Sequence, residues 1–107
     1  MAGGLNVQAD AKDFLTFIFE AAIGAADPEK TIRKHLPARP KGRTIVIGFG
    51  KGAAQMAQAF EKLWDGPFEG LVVTRYGYGA PCKKMEVLEA SHPVPDENGL
   101  KAARRLM

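Results

Sequence analysis

Thr44-Ile45-Val46-Ile47-Gly48-Phe49-Gly50-Lys51-Gly52-Ala53-Ala54-Gln55-Met56-Ala57 decides the fold. It opens on a short apolar run, mostly β-branched, the composition of a buried strand. Three glycines at alternate positions break that run. A helical pattern follows, in which Ala53, Met56, Ala57, Phe60, Leu63 and Trp64 share one face and Gln55, Gln58, Glu61, Lys62 and Asp65 the other. Strand, glycine turn and helix are how an α/β domain offers backbone N–H groups and a helix N-terminus to an anion.

Gly48 and Gly50 can adopt positive φ and leave no Cβ between backbone and ligand. Gly52 and Ala53 let the first helical turn pack close to the strand. A phosphate or carboxylate there would gain roughly 0.3–2 kcal/mol from the helix dipole. Lys51 adds a mobile full charge, which favours an anion site over a plain tight turn. The phosphate-binding loop G-x-x-x-x-G-K-[ST] is excluded, because Gly50-Lys51-Gly52 lacks the Ser/Thr and the leading spacing. The dinucleotide fingerprint G-x-G-x-x-G/A is met by Gly48, Gly50 and Ala53, but the acid expected about twenty residues later is absent. The next strand ends Val72-Val73-Thr74-Arg75. Arg75 could face a 2′-phosphate, so an NADP-type reading survives.

The chain has 107 residues, 46% hydrophobic and 25% charged, room for one ordinary domain. Its net charge of +3 is mild and its basic residues are scattered, which argues against nucleic acid. The single cysteine, Cys82, excludes an internal disulfide and fits a reducing compartment. No apolar run approaches the ~20 residues of a membrane span. Residues 1–6 lack a basic segment followed by an apolar one, so no signal peptide is expected. A cytoplasmic protein without a membrane partner follows as the expectation.

Residues 9–26 predict an amphipathic helix with Phe14, Phe17, Ile18, Ala21, Ala22 and Ala25 as its core face, widened by Leu15 and Phe19. Asp27-Pro28-Glu29 starts a second helix, N-capped by Asp27, running to about Leu36 with Ile32 and Leu36 inward. His35 near its end reads as a basic residue suited to a helix C-terminus rather than as a ligand. Gly70–Thr74 is the second strand, parallel to the first through a right-handed crossover. The Arg75-Tyr76-Gly77-Tyr78-Gly79 loop leaves the same carboxyl edge of the sheet as the Gly48–Gly52 turn, where open α/β sheets bind ligands. Met85–Ala90 alternates and reads as a one-sided or edge strand. Ser91-His92-Pro93-Val94-Pro95 is stiffened by its prolines and holds His92 on an extended segment beside the other two loops. Such a histidine can place a proton or hydrogen bond, or staple its loop to a carbonyl; both stay open. Asp96 N-caps a last helix whose Leu100, Ala103 and Met107 share a face. The chain stops at Leu106-Met107 without a capping glycine, which predicts a piece of a longer protein with an uncovered face and a tendency to self-associate.

Three segments now stand together: Ile47-Gly48-Phe49-Gly50-Lys51-Gly52-Ala53-Ala54, Val72-Val73-Thr74-Arg75-Tyr76-Gly77-Tyr78-Gly79 and Glu89-Ala90-Ser91-His92-Pro93-Val94-Pro95-Asp96-Glu97-Asn98. In this order and spacing the chain resembles the glycerate 2-kinase family, whose members are often labelled hydroxypyruvate reductases of tartrate degradation. The His-Pro-Val-Pro-Asp segment is the most specific part. Gly52 departs from the family, where many members have alanine after the lysine. The resemblance runs from about Phe14 to Met107 and implies an α/β fold with a Rossmann-like parallel sheet and flanking helices, here an incomplete N-terminal portion. Residues 1–107 would form part of the family's N-terminal domain, helical over 9–36 and β-α-β-β-α over 43–107, the C-terminal domain being absent.

The resemblance further implies transfer of phosphoryl from ATP, with magnesium, to D-glycerate in the full-length protein, the piece itself being inactive with nothing bound. Lys51 matches the family's active-site lysine. Gly48, Gly50 and Gly52 would line the pocket, and Thr74, Arg75 and His92 would shape its rim; no metal ligand is assigned. Two alternatives stand beside it. One is an NAD(P)H-dependent hydroxypyruvate reductase, carried by Gly48, Gly50, Ala53 and Arg75. The other is a stand-alone anion-binding α/β module.

Overall fold

The structure, a computed structural model, describes residues 7–107, and the side chains from residue 10. The expectation about residues 1–6 lies outside the described residues. The chain folds as an α/β unit: α1 (Val7–Ala25), α2 (Pro28–Arg33), β1 (Ile45–Phe49), α3 (Ala53–Leu63), β2 (Glu69–Arg75), β3 (Glu86–Ala90) and α4 (Glu97–Leu106). The three strands form one parallel sheet in the order β1-β2-β3. Val46 lies opposite Gly70 and Gly48 opposite Val72, while Val72 pairs with Val87 and Thr74 with Glu89.

The period-2 alternation of a strand sends these residues to two faces. Val46, Gly48, Val72 and Val87 look toward α3, where Ala53, Ala57, Val72 and Met85 are buried among Phe60, Phe68 and Cys82. Two glycines admit this packing. A Cβ on Gly48 would lie 3.1 Å from Val72 Cγ1, and one on Gly70 would lie 2.1 Å from Met85 Sδ. Phe60 stacks on Trp64 at 5.1 Å and meets Phe68 edge-on at 5.3 Å, closing the far end.

On the opposite face α4 covers β3 and part of β2. Ala102 is buried there, a Cβ on Gly99 would come within 3.8 Å of Ala90 Cβ, and Arg105 pairs with Glu86 at 3.2 Å. Leu100 and Met107, on the face the sequence pattern grouped, are exposed, and the small residues Gly99 and Ala102 make the contact because they let the helix approach the sheet closely. On this same face the β1 side chains Ile45, Ile47 and Phe49 stay exposed. α3 and α4 therefore lie on opposite sides of the sheet.

The first helix forms as its periodicity predicts, but the expectation that its apolar face is core is overturned. Phe14 is 62% exposed and Phe17 68%, with Leu15, Ile18, Phe19 and Ile23 also exposed. A 3.6-residue period sets where the apolar residues point; the cover must come from other surfaces, and among the described residues none supplies it. α2 begins as predicted, with Asp27 accepting from the Glu29 N–H at 3.1 Å and Pro28 in the first turn. It ends at Arg33, short of the expected Leu36, and His35 follows the helix with its N–H on the Ile32 carbonyl at 2.9 Å. α2 then packs on α3, and Lys62 bridges to Glu29 at 3.0 Å.

The last residues of the long connection between β2 and β3 are held by one carboxylate. Glu61 on α3 accepts backbone N–H bonds from Lys83, Lys84 and Met85, at 2.5, 2.7 and 2.7 Å. Gln55 and Gln58 donate from the same helix to the Tyr78 and Pro81 carbonyls.

Candidate functional site

Every strand of a parallel sheet delivers its carboxyl end to one edge, so the three loops that follow β1, β2 and β3 meet there. They enclose a cleft of about 280 Å³ lined by Phe49, Gly50, Lys51, Val73, Thr74, Arg75, Ala90, Ser91 and His92.

Lys51 reaches this cleft because of Gly50. Gly50 takes φ +127°, a conformation a side chain would strain, and its N–H donates to the Val73 carbonyl at 3.0 Å. Its carbonyl accepts from the Ala53 N–H at 3.1 Å, which swings the chain into α3. Lys51 at the crest of the turn is exposed and makes no ion pair among the described residues. The Lys51 carbonyl instead accepts from the buried Thr74 hydroxyl at 3.3 Å.

Arg75 ends β2 and places its guanidinium 4.3 Å from the centre of the Tyr78 ring, a cation–π contact at the rim. His92 lies past the end of β3, on an exposed segment that includes the cis His92–Pro93 peptide. Two cations and an imidazole thus line one small cleft without a carboxylate among its lining residues. Such a lining carries the charge that would favour a small anion.

The glycines divide. Gly50 lines this cleft, whereas Gly48 and Gly52 line an apolar groove on the α2–α3 side, which Gly50 also borders. Gly48 keeps strand geometry and serves close packing, and Gly52 is the N-cap of α3 without positive φ. Thr74 is 3% exposed and its hydroxyl faces the turn rather than the open cleft.

Sequence reasoning passed over the fastening behind the cleft. Tyr76 Oη donates to Asp96 Oδ2 at 2.5 Å and accepts from Asn98 Nδ2 at 2.8 Å. Asp96 Oδ1 accepts the Gly99 and Ser91 N–H groups at 3.0 and 3.2 Å. Glu89 accepts from the Gly77 N–H at 2.7 Å. The Tyr76 bond, with the Gly99 and Ser91 amides, holds the Asp96 carboxyl below its usual range. The same bond raises the Tyr76 phenol. The N-cap was legible at Asp96; its tyrosine partner, twenty residues away, carried no local signal.

Among the described residues no group of three or more His, Cys, Asp or Glu gathers to hold a metal ion, and no helix is long and apolar enough to cross a membrane.

Comparison with known proteins bears on this edge. Residues 14–107 match the family described as "Domain of unknown function (DUF4147)". The chain is 48% identical over 97 residues to the "Putative hydroxypyruvate reductase" of Agrobacterium vitis, covering 90% of this chain and 22% of that one. It is 39% identical over 92 residues to the D-glycerate 2-kinase of Thermotoga maritima, covering 84% of this chain and 22% of that protein. The crystal structure of a Thermotoga maritima glycerate kinase superposes with a TM-score of 0.77 at 35% identity, over 92% of this chain and 24% of the other. The chain thus spans about a fifth of the length of the curated relatives it matches.

Proposed function

From the premise that this chain belongs to the DUF4147 family, we propose that it is the N-terminal part of a glycerate 2-kinase and carries the anion-holding half of the active site. The observation that carries this reading is the convergence of Lys51, Arg75 and His92 on one cleft at the carboxyl edge of the sheet. Relatives named as kinases and as a hydroxypyruvate reductase match the same segment.

Phosphoryl transfer asks a protein for positioning and charge neutralisation more than for covalent chemistry. The Lys51 ammonium, on a turn pinned by Thr74 and Val73, would grip the carboxylate of D-glycerate or the arriving phosphoryl oxygens. Arg75 stacked on Tyr78 would set the charge of the rim, and His92 would hydrogen-bond the substrate across the cleft. The residues described here do not form a magnesium site, since acidic side chains do not cluster at the cleft. What these residues offer is an anion grip and the floor of a pocket.

Titrating the chain with D-glycerate tests the grip: the Gly50, Lys51 and His92 amide resonances should shift together and saturate. Absence of shifts there overturns it. ADP formation from ATP, magnesium and D-glycerate, by a polypeptide of the relatives' length that carries this segment, tests the activity.

The reductase reading has one observation in its favour, the approach of α3 to β1 at Gly48, where a Cβ would lie 4.0 Å from Ala53 Cβ. The guanidinium it needs for a 2′-phosphate is already stacked on Tyr78. Oxidation of NADPH on adding hydroxypyruvate would favour it.

Self-association belongs to the same proposal, with a second copy of this chain as the occupant of α1. Phe14, Phe17 and Phe19, each about two-thirds exposed, present roughly 300–500 Å² of apolar surface. Leu15, Ile18 and Ile23 bring the helix near the ~800 Å² per partner of a stable interface.

A further inference from the structure

The loop after β2 and the loop after β3 are not independent walls of the cleft. The Tyr76 N–H donates to the Ala90 carbonyl at 3.1 Å, extending the β2–β3 ladder past the last paired residues. Beyond that point the two loops are joined by side chains alone. Tyr76 Oη, Asp96 Oδ2 and Asn98 Nδ2 form a chain of two hydrogen bonds between the β2 loop and the first turn of α4. The other oxygen of Asp96 closes the 91–96 segment on itself through the Ser91 N–H while capping α4 through Gly99. His92 sits inside the segment so closed, and it faces the cleft that Lys51 enters from β1.

We propose that Tyr76 and Asp96 are positioning residues that hold the His92 segment at a fixed distance from the Gly50–Lys51 turn. The proposal rests on the reading of this cleft as the anion site. The geometry gives the reason. Three loops meet at the edge: the turn after β1 is braced from the sheet through Thr74 and Val73, and the loop after β2 through Ala90 and Glu89, which leaves the 91–96 segment to its own bonds. The 91–96 segment is exposed over His92, Pro93, Val94 and Pro95, so little apolar burial holds it. An anchor of polar bonds is what remains to order it, and it is made at both ends by one carboxylate. Exposed polar bonds are individually weak, but a substrate held between two loops gains from any bond that removes freedom before binding.

Tyr76→Phe removes the hydroxyl and keeps the ring. Asp96→Asn keeps an acceptor for Ser91 and Gly99 and still offers Tyr76 a neutral partner. Amide hydrogen exchange of the unliganded chain reads the clamp directly: Tyr76→Phe should speed exchange at Ser91 by about fivefold to tenfold, the range one hydrogen bond controls, and Asp96→Asn by clearly less. Binding of D-glycerate, and separately of inorganic phosphate, reads the consequence. Tyr76→Phe should weaken it about tenfold with Asp96→Asn close to the parent. If the parent chain binds and Tyr76→Phe binds equally well, the positioning role is overturned. If the parent binds neither anion, the anion reading falls while the exchange data still decide the clamp. Unchanged exchange at Ser91 in Tyr76→Phe overturns the clamp in every case.

Discussion

The buried hydroxyl of Thr74 donates to the backbone carbonyl of Lys51 at 3.3 Å, so the end of β2 sets the height of the turn that follows β1. Thr74→Val keeps the volume and removes the donor, leaving that carbonyl without its partner. It should cost about 1–2 kcal/mol of stability in urea unfolding and weaken D-glycerate binding, with Thr74→Ser recovering most of both. Equal binding by the valine variant would make Thr74 a packing residue only.

Gly50 is held at φ +127° with open space where a Cβ would stand. Gly50→Ala is therefore strained by its backbone and not by a clash. The expected loss is about 1–3 kcal/mol. Thermal unfolding checks it, and Gly52→Ala, at an ordinary φ with nothing nearby, serves as the comparison and should cost less, within about 1 kcal/mol, the N-cap preference of glycine over alanine.

Lys51 is exposed and makes no ion pair among the described residues, so Lys51→Ala should leave stability within about 0.5 kcal/mol of the parent. In a polypeptide of the relatives' length the same change should lower the rate of ADP formation roughly 10²–10³-fold, the usual cost of losing a group that stabilises transition-state charge. A large fall in melting temperature, rather than in rate, would make Lys51 structural.

Burial pushes the Glu61 carboxyl up, but its bonds to the Lys83, Met85 and Lys84 amides together outweigh that and leave it below its ordinary range. A depressed carboxyl stabilises the fold above its unfolded pKa and loses that contribution as pH falls through the folded value. Stability should thus decline on acidification below the ordinary carboxylate range, and Glu61→Gln should flatten part of that decline while costing about 1–3 kcal/mol at neutral pH. Denaturant midpoints measured across acidic pH check both parts.

Sedimentation of the chain should show a species larger than a monomer that dissociates when Phe14 and Phe17 are changed together to polar residues. A compact monomer at micromolar concentration would remove the proposed occupant of α1.

The strands and their parallel order were legible because Ile45–Phe49 and Gly70–Thr74 are short apolar runs flanking a helical pattern. The site edge was legible for the same reason, since topology alone sends three loops to one side. What stayed hidden depends on contacts between distant residues. The stripe of α1 gave its direction but not its cover, and α4 chose Gly99 and Ala102 over Leu100 because close approach outweighed side-chain size. The Tyr76–Asp96 bond joins residues that nothing local relates.

The placement of α3 and α4 on opposite sides of the sheet has a handed consequence. Crossovers between parallel strands are right-handed, and a helix in front of a sheet advances it one way while a helix behind advances it the other. β1 to β2 runs one way through α3; a right-handed crossover departing from α4 would run back past β2 and reach the flank of β1 that no strand among the described residues covers. A strand arriving there would turn β1 from margin to centre and cover Ile45, Ile47 and Phe49 on its way. The bend bearing Lys51 would then sit where the winding reverses, the place in an open sheet where neighbouring loops part and leave room for a guest molecule.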